Sequence, residues 1–234
     1  MLIDALTMQF RQQGYLHLEG FFSGLLMDKL QSKITHHYGV DPMFSHTAEF
    51  LEKASVEVIP WFPLNDDVKE FSVIASDRRL NALTTSILGT GWKELYCMVM
   101  YSKTGTTGQA WHQDCVSEDP TQFNINRLIY TESISTEIGG EVVVVPSSHN
   151  LGRLPVGEQH EDMQDQVVLR PKKGDLVVLH GHTWHRITPV LKGHRVSTNY
   201  RVIPKSTPEN ITDVCVYRNM LFDFSTNSVL EERL

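Results

Sequence analysis

The chain has 234 residues, of which 41% are hydrophobic and 21% charged, and its formal net charge at pH 7 is −7. Such a composition is typical of a globular protein, and the absence of any lysine- and arginine-rich block disfavours nucleic acid as a partner. The apolar stretches are too short to predict a membrane span. Three cysteines without a CxxC spacing favour neither a disulfide framework nor a structural zinc site, and the N-terminus lacks a signal-peptide pattern, so we expect a cytoplasmic protein.

The first part of the chain, residues 1–91, is predicted to be largely helical, with one short strand in YLHLEGFF. Apolar residues recur at helical spacing, and serine and glycine stand where helices begin and end. The segment EFLEKASVEVIPWFP (49–63) is irregular and lies within the mixed residues 41–75, and we expect it to form a lid over a pocket. The predicted helices are residues 2–13, which end at Gly14; residues 23–39, between Ser23 and Gly39; and residues 76–91, with Ser76 as N-cap.

After residue 92 the pattern changes to short β-branched and aromatic runs separated by glycine and proline. Strands at this spacing predict a sandwich or barrel. We expect one domain over residues 1–234, with a mainly β core over residues 92–217 and the N-terminal helices packed on one of its sheets. The predicted strands lie within residues 93–103, 122–133, 139–149, 165–180, 194–204 and 214–219.

The stretch WHQDC (111–115) places a histidine and an aspartate two residues apart. On a strand, His112 and Asp114 would point to the same face and offer a nitrogen and a carboxylate oxygen to one metal ion. Two other pairs share this spacing, His17 with Glu19 and His160 with Asp162. We expect those two pairs to be solvated, whereas His112 and Asp114 follow a glycine- and threonine-rich loop, a common position for sites on a rigid sheet.

A further ligand is available in LHGHTWHRITP (179–189), which contains His180, His182 and His185. The spacing alone leaves the choice among them open, and the stretch can equally be a solvated loop. Two imidazoles and one carboxylate on one face of a metal are typical of non-heme Fe(II) oxygenases. A co-substrate with a distal carboxylate also needs a cation, and HRVSTNYR places Arg195 on a strand, with Ser197 on the same face.

Four stretches in order, QAWHQD, GGEVVVVPSSHNLG, KKGDLVVLHGHTWHRITP and HRVSTNYR, resemble the phytanoyl-CoA dioxygenase-like family of Fe(II)/2-oxoglutarate-dependent oxygenases. The resemblance covers residues 92–203, and FRQQGYLHLEGFFS is similar to the family's opening segment. It implies a double-stranded β-helix, the cupin-like jelly roll. It also implies Fe(II), 2-oxoglutarate and O₂ as the reacting partners. The implied residues are His112, Asp114 and His185 as iron ligands and Arg195 for the distal carboxylate of 2-oxoglutarate.

The resemblance also suggests Gln109, Tyr101 and Ser197 as contacts to 2-oxoglutarate. Trp111 and Trp184 neighbour the expected ligands, so each is either a substrate-pocket residue or a core aromatic.

Related halogenases have a small residue at the position of Asp114, so the resemblance implies hydroxylation of an unactivated C–H bond in a small molecule, or another oxidative outcome, rather than halogenation. Two alternatives remain open: a metal-dependent cupin-like isomerase or lyase, which would not need Arg195, and a non-catalytic metabolite-binding protein. The substrate and the oligomeric state are not predicted.

Overall fold

The computed structural model of the protein describes residues 2–39, 58–116 and 119–233. Most of the expected lid, residues 49–63, therefore lies outside the described residues. Its last part is described, and residues Ile59–Trp61 form a short edge strand. No helix in the described part of the chain has the length and apolar character needed to cross a membrane.

The helices lie in the N-terminal part of the chain, as predicted. Ser23 caps the second helix by accepting a hydrogen bond from the Leu26 N–H, and Gly39 ends that helix with a φ of 60°. This positive φ is readily adopted by glycine, which has no Cβ to clash with the backbone. The α-helices among the described residues are α1 (Leu2–Gln13), α2 (Gly24–Tyr38), α3 (Ser72–Ala75, entered through a 3₁₀ turn at Lys69–Phe71) and α4 (Arg78–Leu88).

The predicted N-cap of the last helix is wrong. Ser76 ends α3, because its backbone N–H and its hydroxyl both donate to the Ser72 carbonyl. Asp77 caps α4 instead, and its carboxylate accepts hydrogen bonds from the N–H groups of Arg79 (2.9 Å) and Leu80 (3.1 Å). Aspartate and serine are both good N-cap residues, so the sequence alone could not decide between adjacent positions.

The described strands form two antiparallel sheets, which we call the major and the minor sheet. The major sheet has the order β1-β8-β5-β10-β3-β2, and the minor sheet has the order β13-β12-β11-β4-β9-β6-β7. The strands are β1 (Tyr15–Leu18), β2 (Ile59–Trp61), β3 (Lys93–Lys103), β4 (Gln109–Gln113), β5 (Ile125–Ile129), β6 (Val142–Val144), β7 (Val167–Leu169), β8 (Leu176–His180), β9 (His185–Ile187), β10 (His194–Ile203), β11 (Val214–Tyr217), β12 (Met220–Asp223) and β13 (Ser228–Glu232).

From β3 to β11 the chain alternates between the two sheets, except that β6 and β7 form an antiparallel pair within the minor sheet, and this is the winding of a double-stranded β-helix. The predicted jelly-roll fold is confirmed. Strands β12 and β13, which the sequence did not indicate, extend the minor sheet. Strands β1 and β2 come from the N-terminal part and complete the two edges of the major sheet.

The helices pack on the outer face of the major sheet, as predicted. Along β10, Val196, Tyr200 and Val202 point toward this layer and join its apolar cluster. Burial of apolar side chains is the main favourable contribution to folding, so this layer carries much of the stability. The helical side chains in the cluster include Phe10, Met27, Leu30, Ile34, Tyr38, Leu80 and Leu83.

The space between the two sheets is also apolar at one end. Side chains of both sheets meet there, including Leu128, Leu179, Val142, Val144 and Ile187. The inner face of β10 differs, because its alternating residues are polar and buried: Arg195, Ser197, Asn199 and Arg201. A buried polar or charged group is costly unless it has a partner, so the side chains of this stripe require hydrogen-bond or charge partners in the space between the sheets.

The helical layer makes a direct prediction about stability. Leu30 on α2 is fully buried under the major sheet, whereas Leu25 on the same helix is 77% exposed. Leu30→Ala should lower the free energy of unfolding by about 2–5 kcal/mol because it leaves a cavity. Leu25→Ala should change it by less than about 0.5 kcal/mol. Urea denaturation of both variants measures the difference, and equal effects would contradict the packing described.

Candidate active site

His112 and His185 come from neighbouring strands of the minor sheet. They stand directly opposite each other in the β4–β9 pairing, and their ring centroids are 4.1 Å apart. Directly opposed residues in an antiparallel pair project from the same face. For this pair that face is the inner one, because Ile187, which follows His185 by two residues on β9, lies in the apolar cluster between the sheets.

Each imidazole is oriented by a hydrogen bond from its own Nδ1. His112 donates to the Ala110 carbonyl and His185 to the Thr183 carbonyl, both at 2.8 Å. These bonds leave the Nε2 atoms free to bind a metal, an arrangement typical of metal-ligating histidines. Burial, followed by the nearby His185, lowers the pKa of His112 to about 4, so the ring is in the neutral form that a metal requires.

Asp114 follows the last residue of β4, and its N–H donates to the Gly181 carbonyl at 2.9 Å. Its carboxylate oxygens lie 3.8 Å from Nε2 of His112 and 3.4 Å from Nε2 of His185. The three buried residues offer ligand atoms that all lie within 4.8 Å of one another. Within the described ranges, no other three His, Cys, Asp or Glu residues meet this condition.

The Asp114 carboxylate is ionised. Burial by itself would raise its pKa, but the Arg201 guanidinium, then the two histidines and the Asn126 amide, outweigh burial and hold the pKa of Asp114 below its usual range. The site therefore presents two neutral nitrogens and one charged oxygen. This donor set of two imidazoles and one carboxylate matches the one that holds non-heme Fe(II).

The other histidines of the 179–189 stretch are not part of this group. His180 ends β8 and stacks on the Phe123 ring, with the centroids 4.2 Å apart, and its Nδ1 accepts the N–H of His182. A turn then reverses the chain before His185 begins β9. The turn selects His185 because only this histidine enters the strand that pairs with His112.

The other two pairs with His-x-acid spacing have structural contacts. His17 forms a 2.7 Å hydrogen bond with Asp175 and makes no metal group with Glu19. The carbonyl of His160 and the carboxylate of Asp162 both accept hydrogen bonds from Arg186. As expected, neither pair is part of the candidate metal group, and Glu19 and Asp162 are exposed to solvent, whereas His17 and His160 are partly buried.

Arg195 lies on the inner face of β10 and is only 1% exposed. Its Nε donates to the Gly140 carbonyl (2.8 Å), Nη1 to the Ser197 hydroxyl (3.1 Å) and Nη2 to the Tyr130 hydroxyl (3.5 Å). In the described part of the chain, no carboxylate lies within 4.0 Å of its guanidinium nitrogens. A buried cation without a counter-charge is unfavourable, so Arg195 is a candidate partner for an anion that does not belong to the described chain.

A glycine is required at position 140, next to the Arg195 side chain. It has a φ of +70°, and a Cβ at this position would lie 2.6 Å from Cδ of Arg195. The second glycine of the segment GGEVVVV therefore lets the backbone approach the arginine and supplies the carbonyl that accepts its Nε–H.

The predicted co-substrate contacts fall on different faces. Ser197 contacts Arg195, and Gln109 is paired with the inner-face residue Ile187, next to a bulge in the β4–β9 ladder. Tyr101 lies on the outer face of the major sheet and stacks on Tyr38, with centroids 4.6 Å apart. Ser197 and Gln109 thus share the interior with the metal group, and Tyr101 does not.

Both tryptophans belong to the outer side of the minor sheet. Trp111 is fully buried against Val143 and Leu154, and its Nε1 donates to the Glu161 carbonyl at 2.7 Å. Trp184 packs against the same cluster and donates to the Gly152 carbonyl. Of the two alternatives left open for each tryptophan, this placement favours the core aromatic over the substrate-pocket residue.

Three contributors were missed in the sequence: Tyr130, Asn126 and Arg201. Each of them lies within a predicted strand. Its role, however, depends on a contact with a residue of another strand, which the sequence does not indicate. Tyr130 contacts Arg195, whereas Asn126 and Arg201 both contact the Asp114 carboxylate. For Arg201, the signal available was its spacing of six residues from Arg195, which places both on one face of a strand.

A double-stranded β-helix with a buried His-Asp-His group between its sheets defines the class of cupin-like jelly rolls with a metal-binding interior. The sequence profile of the family Phytanoyl-CoA dioxygenase (PhyH) matches residues 10–190. The chain belongs to this family.

No curated protein matches the chain, but several solved structures share its fold. The α-ketoglutarate-dependent epimerase SnoN from nogalamycin biosynthesis is 16% identical, with a TM-score of 0.69 over 93% of this chain and 85% of its own. HygX from Streptomyces hygroscopicus, with nickel and 2-oxoglutarate bound, is 17% identical, with a TM-score of 0.68 over 86% of each chain. The carbocyclase SnoK from nogalamycin biosynthesis is 15% identical, with a TM-score of 0.64 over 91% of this chain and 85% of its own.

The geometry of the His-Asp-His group predicts that metal binding depends on His112 but not on a histidine outside the group. His112→Ala should abolish stoichiometric binding of Mn(II), because two ligands cannot hold the ion as three do. His180→Ala removes a histidine that is similarly buried but lies outside the group. This variant should bind Mn(II) like the wild type. Anaerobic titration calorimetry measures both, and normal binding by the His112 variant would exclude this group as the metal site.

Proposed function

We propose that the protein is a non-heme Fe(II)- and 2-oxoglutarate-dependent oxygenase that hydroxylates an unactivated C–H bond of a small molecule. One observation carries the proposal: a buried His-Asp-His group and a buried arginine without a counter-ion face the same space between two sheets. Membership of the Phytanoyl-CoA dioxygenase family supports it. Solved structures of the same fold contain iron or nickel with 2-oxoglutarate, which also supports the cofactor assignment.

His112, Asp114 and His185 would hold the iron. Their ligand atoms are close enough for a single ion, the imidazoles are oriented by backbone carbonyls, and the carboxylate is ionised. Three protein ligands leave three positions of an octahedral ion for a bidentate co-substrate and O₂. Asp114 occupies the ligand position that an incoming halide would need, so hydroxylation is favoured over halogenation.

The pocket around Arg195 would hold the distal carboxylate of 2-oxoglutarate. A guanidinium has five N–H donors in a planar fork, and three of those of Arg195 are used by Gly140, Ser197 and Tyr130. The remaining donors suit a carboxylate. The Ser197 and Tyr130 hydroxyls each accept from Arg195, so their own protons can point to the same anion.

The Tyr130 hydroxyl is suited to donate a hydrogen bond to an anion rather than to carry a negative charge itself. Burial raises the pKa of its hydroxyl, and Arg195 offsets that rise only in part. The hydroxyl is therefore protonated at neutral pH. It extends the pocket with a neutral donor that adds no charge to balance.

When bound, Fe(II) with 2-oxoglutarate and O₂ supplies the oxidation of a substrate C–H bond, coupled to release of succinate and CO₂. The chain's own residues keep the site dry, orient the ligands and fix the co-substrate. Arg195, Ser197 and Tyr130 determine which 2-oxo acid binds, because a shorter acid would leave the arginine unpaired.

Three alternatives to hydroxylation can be compared with the structure and with the solved structures of the same fold. Relatives of the same fold include an α-ketoglutarate-dependent epimerase and a carbocyclase, so an oxidative rearrangement that uses the same co-substrate is the second candidate. A cupin-like isomerase or lyase that does not use 2-oxoglutarate would have no use for the Arg195 pocket. A non-catalytic binding protein would have no need for three intact ligands.

The first experiment is an anaerobic titration of the wild-type apo-protein with Fe(II) and then 2-oxoglutarate. We expect a weak visible metal-to-ligand charge-transfer band, because bidentate chelation brings the keto oxygen and a carboxylate oxygen to the iron. Succinate release during a substrate screen then identifies turnover. A product heavier by one oxygen atom indicates hydroxylation, and an isomeric or dehydrogenated product indicates the second candidate. Iron binding without the band would contradict the use of 2-oxoglutarate.

The anion pocket predicts a graded loss of 2-oxoglutarate affinity. Arg195→Gln should raise the dissociation constant by about 100-fold, since a charge-assisted contact is worth roughly 1.5–3 kcal/mol. Tyr130→Phe removes one neutral donor and should raise it by about 3- to 10-fold. Tyr200→Phe is the matched control, because its hydroxyl donates to the Phe71 carbonyl on the outer face of the same sheet.

The three dissociation constants are measured from the charge-transfer band as 2-oxoglutarate is titrated into the Fe(II) form. We expect Tyr200→Phe to bind like the wild type. If Arg195→Gln binds 2-oxoglutarate normally, another residue holds the distal carboxylate and the pocket assignment is lost.

A further inference from the structure

Two buried arginines lie on the inner face of β10, and they have opposite electrostatic surroundings. Arg195 has no described carboxylate within reach, whereas Nη2 of Arg201 lies 3.0 Å from Oδ1 of Asp114. Both side chains are at least nine-tenths buried. Arg201 is therefore committed to a carboxylate of the protein, and only Arg195 is left for an anion from outside.

Arg201 also contacts Asn126, a residue of β5 on the same inner face. Its Nε donates to Oδ1 of Asn126 at 2.7 Å, and Nδ2 of Asn199 donates to the same oxygen at 2.7 Å. With two donors on its oxygen, the Asn126 amide has a fixed orientation, and its nitrogen points the other way. That nitrogen donates to Oδ2 of Asp114.

The consequence is that each oxygen of the Asp114 carboxylate has a donor from the major sheet. Arg201 donates to Oδ1 and Asn126 donates to Oδ2, so rotation of the carboxylate about its last bond is restricted. Each oxygen retains acceptor capacity for a metal, because an ionised carboxylate has about four lone-pair sites. Asp114 is attached to the minor sheet, whereas its orientation is set by the major sheet.

We propose that Arg201 and Asn126 are positioning residues that hold the Asp114 carboxylate in the orientation required to bind the metal. The inference rests on the proposed function only in that the His-Asp-His group binds a metal; it does not depend on the co-substrate or the reaction. Arg201 acts as a fork, since one N–H binds Asn126 and another binds Asp114. Its positive charge also balances the carboxylate in the metal-free protein.

The test measures metal affinity and needs no turnover. Dissociation constants for Mn(II), and the visible spectrum of the Co(II) form, are measured anaerobically for the full chain. Arg201→Gln should raise the Mn(II) dissociation constant by about 10- to 100-fold, the usual loss when an outer partner of a metal ligand is removed. The Co(II) spectrum should change as well, because the carboxylate is no longer held in one orientation.

Arg127→Gln provides a matched control. Arg127 is also fully buried in the major sheet but on the opposite face, where it donates to the Tyr200 carbonyl and the Thr84 hydroxyl. Its loss should lower the free energy of unfolding and leave the Mn(II) affinity unchanged. If the control and Arg201→Gln weaken metal binding equally, the effect is general destabilisation and the proposal is overturned.

Arg201→Lys separates orientation from charge. Lysine keeps the positive charge, but its single ammonium cannot reproduce the planar fork between Asn126 and Asp114. We expect its Mn(II) affinity to remain at least about fivefold weaker than that of the wild type, a partial loss on the scale of an outer-partner change. Wild-type affinity in this variant would show that charge alone suffices and would overturn the positioning role.

Asn126→Asp keeps the test decisive if the Arg201 variants do not fold. This change preserves the size of the side chain and the acceptor for Arg201 and Asn199, but it replaces the donor to Asp114 with a carboxylate oxygen. Metal affinity should fall by at least about tenfold, and wild-type affinity would overturn the proposal. Failure of the wild type itself to bind Mn(II) would instead refute the proposed function.

Discussion

The arrangement of the candidate site depends on the balance of buried charges between the two sheets. The inner face of β10 carries two buried arginines, and the metal group contributes a buried carboxylate. One arginine is neutralised by that carboxylate, and the other has only neutral partners among the described residues. A buried charge is costly without a counter-charge, so the unpaired Arg195 is the place in this interior where an external anion would be most stabilised. The proposed binding of an anionic co-substrate rests on this imbalance.

The winding of the chain explains why the site has this composition. Because the chain winds back and forth between the sheets, the His-Asp-His group comes from the minor sheet, whereas Arg195, Arg201 and Asn126 come from the major sheet. Neither sheet contains the complete site. The helical layer covers the outer face of the major sheet, so both faces of β10 are buried and its polar side chains are held by packing on the reverse side.

The limits of prediction are clearest for residues that are adjacent in sequence. Trp111 and His112 are neighbours, yet one lies in the outer cluster and the other at the metal group, because alternate residues of a strand face opposite sides. The same alternation separates Tyr101 from Ser102 on β3, and it places Tyr101 under the helices. Gln109 reaches the inner face through the bulge in the β4–β9 ladder, which no periodicity in the sequence indicates.

The sequence by itself determined the β-rich class, the helical N-terminus, the pair His112 and Asp114, and the strand that carries Arg195, since these follow from local spacing and residue type. Its resemblance to a family selected His185. Only the tertiary structure decided that His185 stands opposite His112, that Arg201 is used internally and Arg195 is not, and that Tyr130 and Asn126 contribute. The physical reason is that strand periodicity is a local property, whereas the partner of a buried charge comes from a distant strand and is fixed only when the two sheets pack together.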